Sequence, residues 1–238
     1  TAAAMLADGR QTFRYETCGD EGCWGDTLQI HQAIAGAANG GVGPGVSPKT
    51  ALSVGLKVDA DALPASLVAQ IQGGQVNLDD PATTLALLKL NAVVGVTGKF
   101  DAAGALTGMG IQCALCHSTV DDSFAPGIGH RLDGWPNRDL NVGAIISLAP
   151  NLLPVEQLLG VDEATLKAVL AAWGPGKFDA QLFLDGKGFQ TDGVTSAATL
   201  IPPAFGLAGV NLGTSTGFGS TTYWNAFVAN NEMHGKGV

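Results

Sequence analysis

Three residues near the middle of the chain are able to do chemistry together: Cys113, Cys116 and His117, in the stretch IQCALCHSTV. Two thiols and an adjacent imidazole at this spacing occur in zinc sites, in redox-active dithiols and in sites that bind haem covalently. In the third case the thiols add to the vinyl groups of the porphyrin, and the imidazole binds one face of the iron. The remaining sequence must decide among the three.

The other cysteine pair and the residues before the motif favour the haem site. A zinc site needs four good ligands in paired clusters, but Trp24, not a histidine, follows the second cysteine of the pair Cys18 and Cys23. A redox dithiol is expected between a strand and a helix of a βαβ unit, and GALTGMGIQCALCHS shows no such strand. The motif therefore predicts one covalently bound haem c.

Cys18 and Cys23 enclose the flexible loop GDEG. Haem c is attached in oxidising compartments, where disulfides also persist. A loop this short can bring two Cα atoms within bridging range. We therefore predict a disulfide between these two cysteines, with a pair of free thiols as the alternative, and a periplasmic or otherwise extracytoplasmic location.

Helical patterns dominate the elements that must position these groups. The clearest helix begins at Asp80, which caps it, and Pro81, which occupies its first turn; Leu85 and Leu88 follow on one face. Capping residues and apolar spacing predict further helices at 27–37, 64–73, 162–174 and 221–232. The segment 178–190 instead predicts a small β-hairpin that turns at 185–186.

Composition limits the partners. Charged residues make up 14% of the 238 residues, and no apolar run approaches the roughly 20 residues of a membrane span. The net charge of −9 argues against nucleic acid and would suit a basic partner protein. The first residues, TAAAMLADGR, lack the charged and apolar regions of a signal peptide, so we expect that any such peptide has been removed or never existed.

The attachment motif resembles that of c-type cytochromes. Longer phrases are similar to exported haem proteins related to di-haem cytochrome c peroxidases: FRYETCGDEGCWGDTLQIH, CALCHSTVDDSFAPGIGHRLDGWPNRDLNVG and YWNAFVANNEMHGKG. The resemblance implies a mainly α fold, with cytochrome c-like helices around one covalent haem, long Gly-rich loops and room for one small hairpin. We expect a single haem c domain, 1–238, with an N-terminal extension. The di-haem family has two haem domains, whereas this sequence has one attachment motif.

The resemblance also implies a distal iron ligand from a segment well downstream, often a methionine. Met233, at the end of the last predicted helix, is the first candidate. Three histidines and an open site are the alternatives: His31, His130 and His234. Met109 precedes Cys113 by four residues, as Cys113 precedes His117, so we expect Met109 on the same helix, packed at the haem edge.

Haem propionates need hydrogen-bond donors or cations where the ring is buried. The segment HRLDGWPNRDLN follows the motif closely and supplies Arg131, Trp135 and Arg138. An arginine can donate two parallel hydrogen bonds to a carboxylate, and an indole N–H can donate one more. We therefore expect these three side chains at the propionates, although two surface arginines in a turn remain the alternative.

The sequence thus predicts an extracytoplasmic mono-haem cytochrome that carries electrons between redox partners and is not an enzyme. Two other functions stay open. One is a haem peroxidase-like enzyme, or one haem domain of a larger di-haem peroxidase, with His31, His130 or Glu232 as the polar group at an open iron face. The other is a docking subunit of a larger redox complex. The sequence leaves the oligomeric state open.

Overall fold

A computed structural model of the chain describes residues 1–179, 182, 196–207, 209–214 and 216–237. Its α-helices are mostly short. In order along the described residues they are α1 (Ala2–Tyr15), α2 (Ile30–Ala35), α3 (Pro48–Ser53), α4 (Ala65–Gln72), α5 (Pro81–Lys89), α6 (Cys113–His117), α7 (Val142–Ile146), α8 (Leu153–Leu159), α9 (Glu163–Trp173) and α10 (Thr221–Phe227). Two π-helical turns, Gly22–Thr27 and Val228–Glu232, and two 3₁₀ turns, Ala37–Asn39 and Ala60–Ala62, complete the helical part.

The strands form small two-stranded sheets. They are β1 (Val58–Asp59), β2 (Val96–Phe100), β3 (Leu106–Ile111), β4 (Ser118–Val120), β5 (Ile128–Gly129), β6 (Arg131–Asp133), β7 (Lys177–Phe178) and β8 (Thr199–Leu200). Strand β1 pairs in parallel with β5, whereas β2 with β3, β4 with β6 and β7 with β8 are antiparallel.

The predicted mainly α fold class is wrong, because the chain is a mixed α and β protein with 44% helix and 13% strand. The sequence prediction missed helix α1 and the hairpin of β2 and β3. Asp101 stabilises its turn, since the backbone N–H of Ala105 donates to the Asp101 carboxylate over 2.9 Å, and Gly104 adopts a φ of 86° there. The strands carry three glycines, Gly98, Gly108 and Gly110, which weaken a strand pattern in the sequence.

Helices α5 and α9, whose capping residues were identified in the sequence, were predicted correctly, whereas α3 and α7 were missed although Ser47 and Asn141 cap them. The Asp80 carboxylate accepts a hydrogen bond from the N–H of Ala82 over 2.9 Å at the start of α5. The Asp162 carboxylate accepts from the N–H of Thr165 over 2.8 Å at the start of α9, which ends before Gly174 at φ 73°. The predicted helix 27–37 is shorter than expected and corresponds to α2. The last predicted helix changes from α10 into a π-helical turn at 228.

One hydrophobic core connects the helices to the β2–β3 hairpin. Its fully buried side chains come from elements spread over the chain and include Leu28, Leu88, Leu140, Ile146, Leu166, Leu170 and Trp173. Helix α1 contributes no buried residue. It is held at its C-terminal end, where the Arg14 guanidinium lies 2.6 Å from the Asp133 carboxylate and Phe13 packs near Ala114.

Among the described residues, no helix combines the length and the apolar character that a membrane crossing requires. The hairpin predicted at 178–190 lies almost entirely outside the described residues. Phe178, the first residue of that segment, belongs to β7, which pairs with β8.

Candidate functional site

Helix α6, which holds Cys113, Cys116 and His117, follows the β2–β3 hairpin after a single residue, Gln112. The N–H of Gln112 donates to the carbonyl of Gly95 over 3.0 Å. Gly95 has a φ of 80°, and a Cβ atom there would overlap the backbone of Leu115. Only glycine therefore allows the chain before β2 to pass this close to α6.

The hairpin corrects two predictions about the motif. A strand, β3, does precede it, although the sequence showed no such strand. Met109 lies in β3 opposite Gly98, so it is not on the helix with Cys113 and His117. A redox dithiol is still disfavoured, because β3 pairs with β2 and β4 pairs with β6, which leaves α6 outside any βαβ unit.

The thiols of α6 also have the wrong acidity for a reactive dithiol, whose thiolate form is favoured by a lowered pKa. Burial raises the pKa of Cys116 to about 12, and the carboxylate of Glu232 contributes in the same direction. Burial likewise raises the pKa of Cys113, and the neighbouring Cys18 thiol adds to the effect. Both side chains therefore stay protonated at neutral pH.

The segment after β6 holds the C-terminal end of α6. The N–H of Gly134 donates to the carbonyl of His117 over 2.7 Å, and the N–H of Asn137 donates to that of Cys116 over 2.8 Å. These bonds satisfy carbonyls that the end of a helix would otherwise leave without a donor. Asn137 is itself buried, and its amide donates to the carbonyl of Gly55 over 2.9 Å.

The imidazole of His117 is oriented from a distant part of the chain. Its Nδ1 lies 3.0 Å from the carbonyl oxygen of Pro202, so Nδ1 carries the proton that is donated there. Burial lowers the pKa of His117, which keeps the ring neutral and leaves Nε2 as a lone-pair donor for a metal. A hydrogen bond of this kind typically fixes a metal-binding histidine. The sequence analysis missed Pro202, which lies 85 residues away and has no local signal.

A cavity of about 660 Å³ opens beside α6. This volume lies within the roughly 300–1,000 Å³ that is usual for cofactor sites. We call its described lining residues between 24 and 178 the inner wall; they come chiefly from the Gly22–Thr27 turn, α2, α3, α5, the β2–β3 hairpin, α6 and α7. Its outer wall consists of described residues from 199–214 and 221–233. Most of the lining is aliphatic or aromatic, and the described lining residues include no lysine and no arginine.

The predicted iron ligands differ in their relation to this cavity. Cys113, Cys116 and His117 line it on the inner wall, and Met233 lines it on the outer wall. Met233 is 4% exposed. Met109, 3% exposed, also lines the cavity, from β3 on the inner wall, so a second thioether is present that the sequence analysis had assigned to packing.

The three alternative histidines are not among the described lining residues. His130 is exposed, and its Nδ1 lies 2.7 Å from the Asp61 carboxylate, a contact that raises the pKa of the imidazole. His31 and His234 are half-buried, and burial lowers the pKa of both. The structure thus brings Met233, but none of these histidines, to the cavity that holds His117.

The three predicted propionate partners also lie outside the described lining of the cavity. The side chain of Arg131 is buried beside Asp133 and Asp59, with its Nε 3.4 Å and 3.8 Å from their carboxylates. Trp135 is half exposed and packs on Phe205, with 5.2 Å between the ring centroids. Arg138 is exposed, and its backbone carbonyl lies close to Gly176. Their role at the propionates stays a prediction.

The predicted disulfide of Cys18 and Cys23 stays a prediction as well, since both cysteines are free thiols in the structure. Alkylation of the unreduced protein followed by mass spectrometry is expected to leave both side chains unmodified. Reduction should cost little stability, because so short a loop excludes few unfolded conformations. Alkylation at either position, or a bridge from Cys18 to its neighbour Cys113, would show the pairing to be wrong.

A buried carboxylic acid lies beside the end of β3. Asp20 is fully buried, and both its carboxylate oxygens accept from the N–H of Ile111 over 3.2 Å. Burial raises the pKa of Asp20 to about 8, a shift that Glu21 increases and that Lys99 and the Ile111 N–H oppose. Asp20 is therefore largely protonated at neutral pH.

The stability of the protein is expected to fall as the pH rises through this range. The pKa of Asp20 is about 8 in the folded chain against its usual 3.8, so between these values the folded chain holds a proton that the unfolded chain has released. This contributes a loss of up to about 1.4 kcal/mol per pH unit. Asp20→Asn keeps an acceptor for Ile111 and should flatten the slope between pH 5 and 8 in urea unfolding. The same change at the exposed Asp26 is the control, and equal slopes in all three proteins would contradict the assignment.

In comparisons with known proteins, no family model, no curated protein and no solved structure matches the chain.

Proposed function

We propose that the chain is an extracytoplasmic mono-haem c-type cytochrome that carries electrons between redox partner proteins. One observation supports this function above all. The same cavity is lined by Cys113, Cys116 and His117 and by Met233, 116 residues further along the chain than His117.

The residues around this cavity fit haem c in their chemistry. The thiols of Cys113 and Cys116 would form the covalent attachment. The neutral His117 would bind the iron through Nε2, since Nδ1 donates to Pro202, and Met233 would supply a second ligand. When bound, haem supplies an iron that gains and loses one electron. The apolar lining would exclude water and so keep the site free of competing ligands.

Location and partner follow from the same proposal. Covalent attachment requires a compartment in which disulfides also form, which supports a periplasmic or otherwise extracytoplasmic location. The net charge of −9 supports a basic partner protein, because opposite charges accelerate the encounter of two proteins.

A redox titration of the purified, haem-loaded protein tests the proposed function. We expect reversible one-electron oxidation and reduction with no bound substrate, and only weak binding of carbon monoxide by the reduced protein, since Met233 would compete for the iron. Irreversible reduction, or rapid binding of carbon monoxide, would contradict a carrier with two protein ligands.

A peroxidase-like enzyme is the second candidate, and Glu232 is the observation that favours it. Its carboxyl group lines the cavity, and burial raises its pKa, so a polar group able to transfer a proton is present. Hydrogen peroxide turnover separates the two functions. A carrier should show negligible turnover, whereas an enzyme should show turnover that Glu232→Gln reduces and that the wild-type protein retains after repeated cycles.

A further inference from the structure

The outer wall of the cavity carries almost no charge. From Gly193 to Asn231 the sequence contains no Asp, Glu, Lys, Arg or His, so this stretch has no charged side chain with which to form an ion pair. Helix α10 and the π-helical turn that follows it contribute no buried residue. Met233, directly after that turn, is nevertheless 4% exposed. Contacts from another part of the chain must therefore hold it.

The indole of Trp24 provides the first of these contacts. Trp24 belongs to the π-helical turn Gly22–Thr27, is 4% exposed and lines the cavity. Its Nε1–H donates to the backbone carbonyl of Met233 over 2.8 Å, between residues 209 positions apart. The bond is buried, so loss of the donor would leave a carbonyl without water to replace it.

The residues on either side of Trp24 and Met233 continue the contact. The N–H of Lys236 donates to the carbonyl of Cys18 over 2.9 Å. A Cβ atom at Gly235 would lie 2.8 Å from that same carbonyl oxygen, so the two backbones touch. Residues 18–24 thus hold residues 233–236 at several points, and the Trp24 bond is the one at the ligand itself.

We propose that Trp24 is a positioning residue for Met233: its indole fixes the backbone from which the thioether reaches the iron. This inference rests on the proposed function, in which Met233 is the second axial ligand. A thioether is a neutral ligand that external ligands can displace. The hydrogen bond from the Trp24 indole should therefore control how easily an external ligand displaces Met233. The loop from Cys18 to Cys23, which Trp24 follows directly, holds the same segment through the bond from the Lys236 N–H to the Cys18 carbonyl.

Competition by imidazole tests the inference. The ferric wild-type protein should show the weak long-wavelength band that methionine ligation produces, and imidazole should abolish the band as it displaces Met233. In Trp24→Phe, which keeps an aromatic ring and removes only the donor, the apparent Kd for imidazole should fall about tenfold, as expected for loss of one buried hydrogen bond. Trp173→Phe is the matched control. It removes another buried indole, one that is not among the described lining residues, and should leave the Kd unchanged.

The outcomes separate the inference from the function on which it rests. Absence of the band in the wild-type protein would overturn methionine ligation, and the inference with it. A wild-type band together with an unchanged Kd in Trp24→Phe would overturn the inference alone. If Trp24→Phe does not fold, hydrogen exchange in the wild-type protein decides. The Trp24 indole N–H should exchange slowly, as a buried bond does, and exchange as fast as that of the half-exposed Trp135 indole would contradict the bond to Met233.

Discussion

Met233→Ala is expected to remove the long-wavelength ferric band completely and to open the iron to carbon monoxide. The alanine side chain has no atom that could bind the iron, so the ligand proposed for Met233 would be lost. The affinity of the reduced protein for carbon monoxide should rise at least about a hundredfold, because Met233 no longer competes for the iron. This change corresponds to about 2.7 kcal/mol of binding free energy. The reduction potential should also fall, because methionine ligation raises it. Absorption spectra and a carbon monoxide titration measure these effects.

Met109→Ala is the matched control for this experiment. Met109 is as buried as Met233 and lines the same cavity, but from the inner wall, where β3 holds it. Either substitution removes a buried thioether and costs about 2–5 kcal/mol of stability, so loss of stability alone cannot account for a difference between them. Met109→Ala should keep the band. If it loses the band and Met233→Ala keeps it, Met109 is the ligand.

Replacing Cys113 and Cys116 together by serine is expected to release the haem from the polypeptide. Serine is nearly isosteric with cysteine but forms no thioether with a vinyl group. Acidified acetone should therefore extract the pigment completely from the double variant and leave it with the wild-type protein. Each single variant should keep the pigment through its remaining thioether.

The remaining cysteine pair is the control for the attachment. Cys18→Ser with Cys23→Ser removes the same number of thiols, and neither residue is among the described lining residues of the cavity. This variant should keep its pigment in acidified acetone. Complete extraction from the wild-type protein would refute covalent attachment, and retention by the Cys113 and Cys116 double variant would show that other residues hold the haem.

Local signals decided which parts of the fold the sequence could predict. Helices α5 and α9 were predicted because Asp80 and Asp162 cap them through bonds that span only two or three residues. The β2–β3 hairpin was not, because its glycines weaken the alternating pattern and its strands pack on α2 and α5, which are distant in sequence. The fold class was wrong because this hairpin was missed and because the other strands, of two or three residues each, are too short to give an alternating pattern.

Some residues of the candidate site could likewise be predicted from the sequence, and others could not. Cys113, Cys116 and His117 are adjacent in sequence and could be recognised from their spacing alone. Met233 could be proposed only from the resemblance to c-type cytochromes. Its place in the cavity lining supports that choice over His31, His130 and His234. The Pro202 carbonyl and the Trp24 indole could not be predicted. Each acts through one hydrogen bond across a long stretch of chain, and neither residue type indicates the contact.

The separation of the two cavity walls along the chain has a consequence for the order of folding. The bond from His117 to Pro202 closes a loop of 85 residues, and that from Trp24 to Met233 spans 209. Contacts between such distant residues form slowly, because the entropy of closing the loop must be overcome first. We expect the hairpin and α6 to assemble before the outer wall. The thiols of α6 would then stay accessible to an attachment enzyme until late, and a porphyrin bound there would give the nearly uncharged outer wall an apolar surface on which to fold.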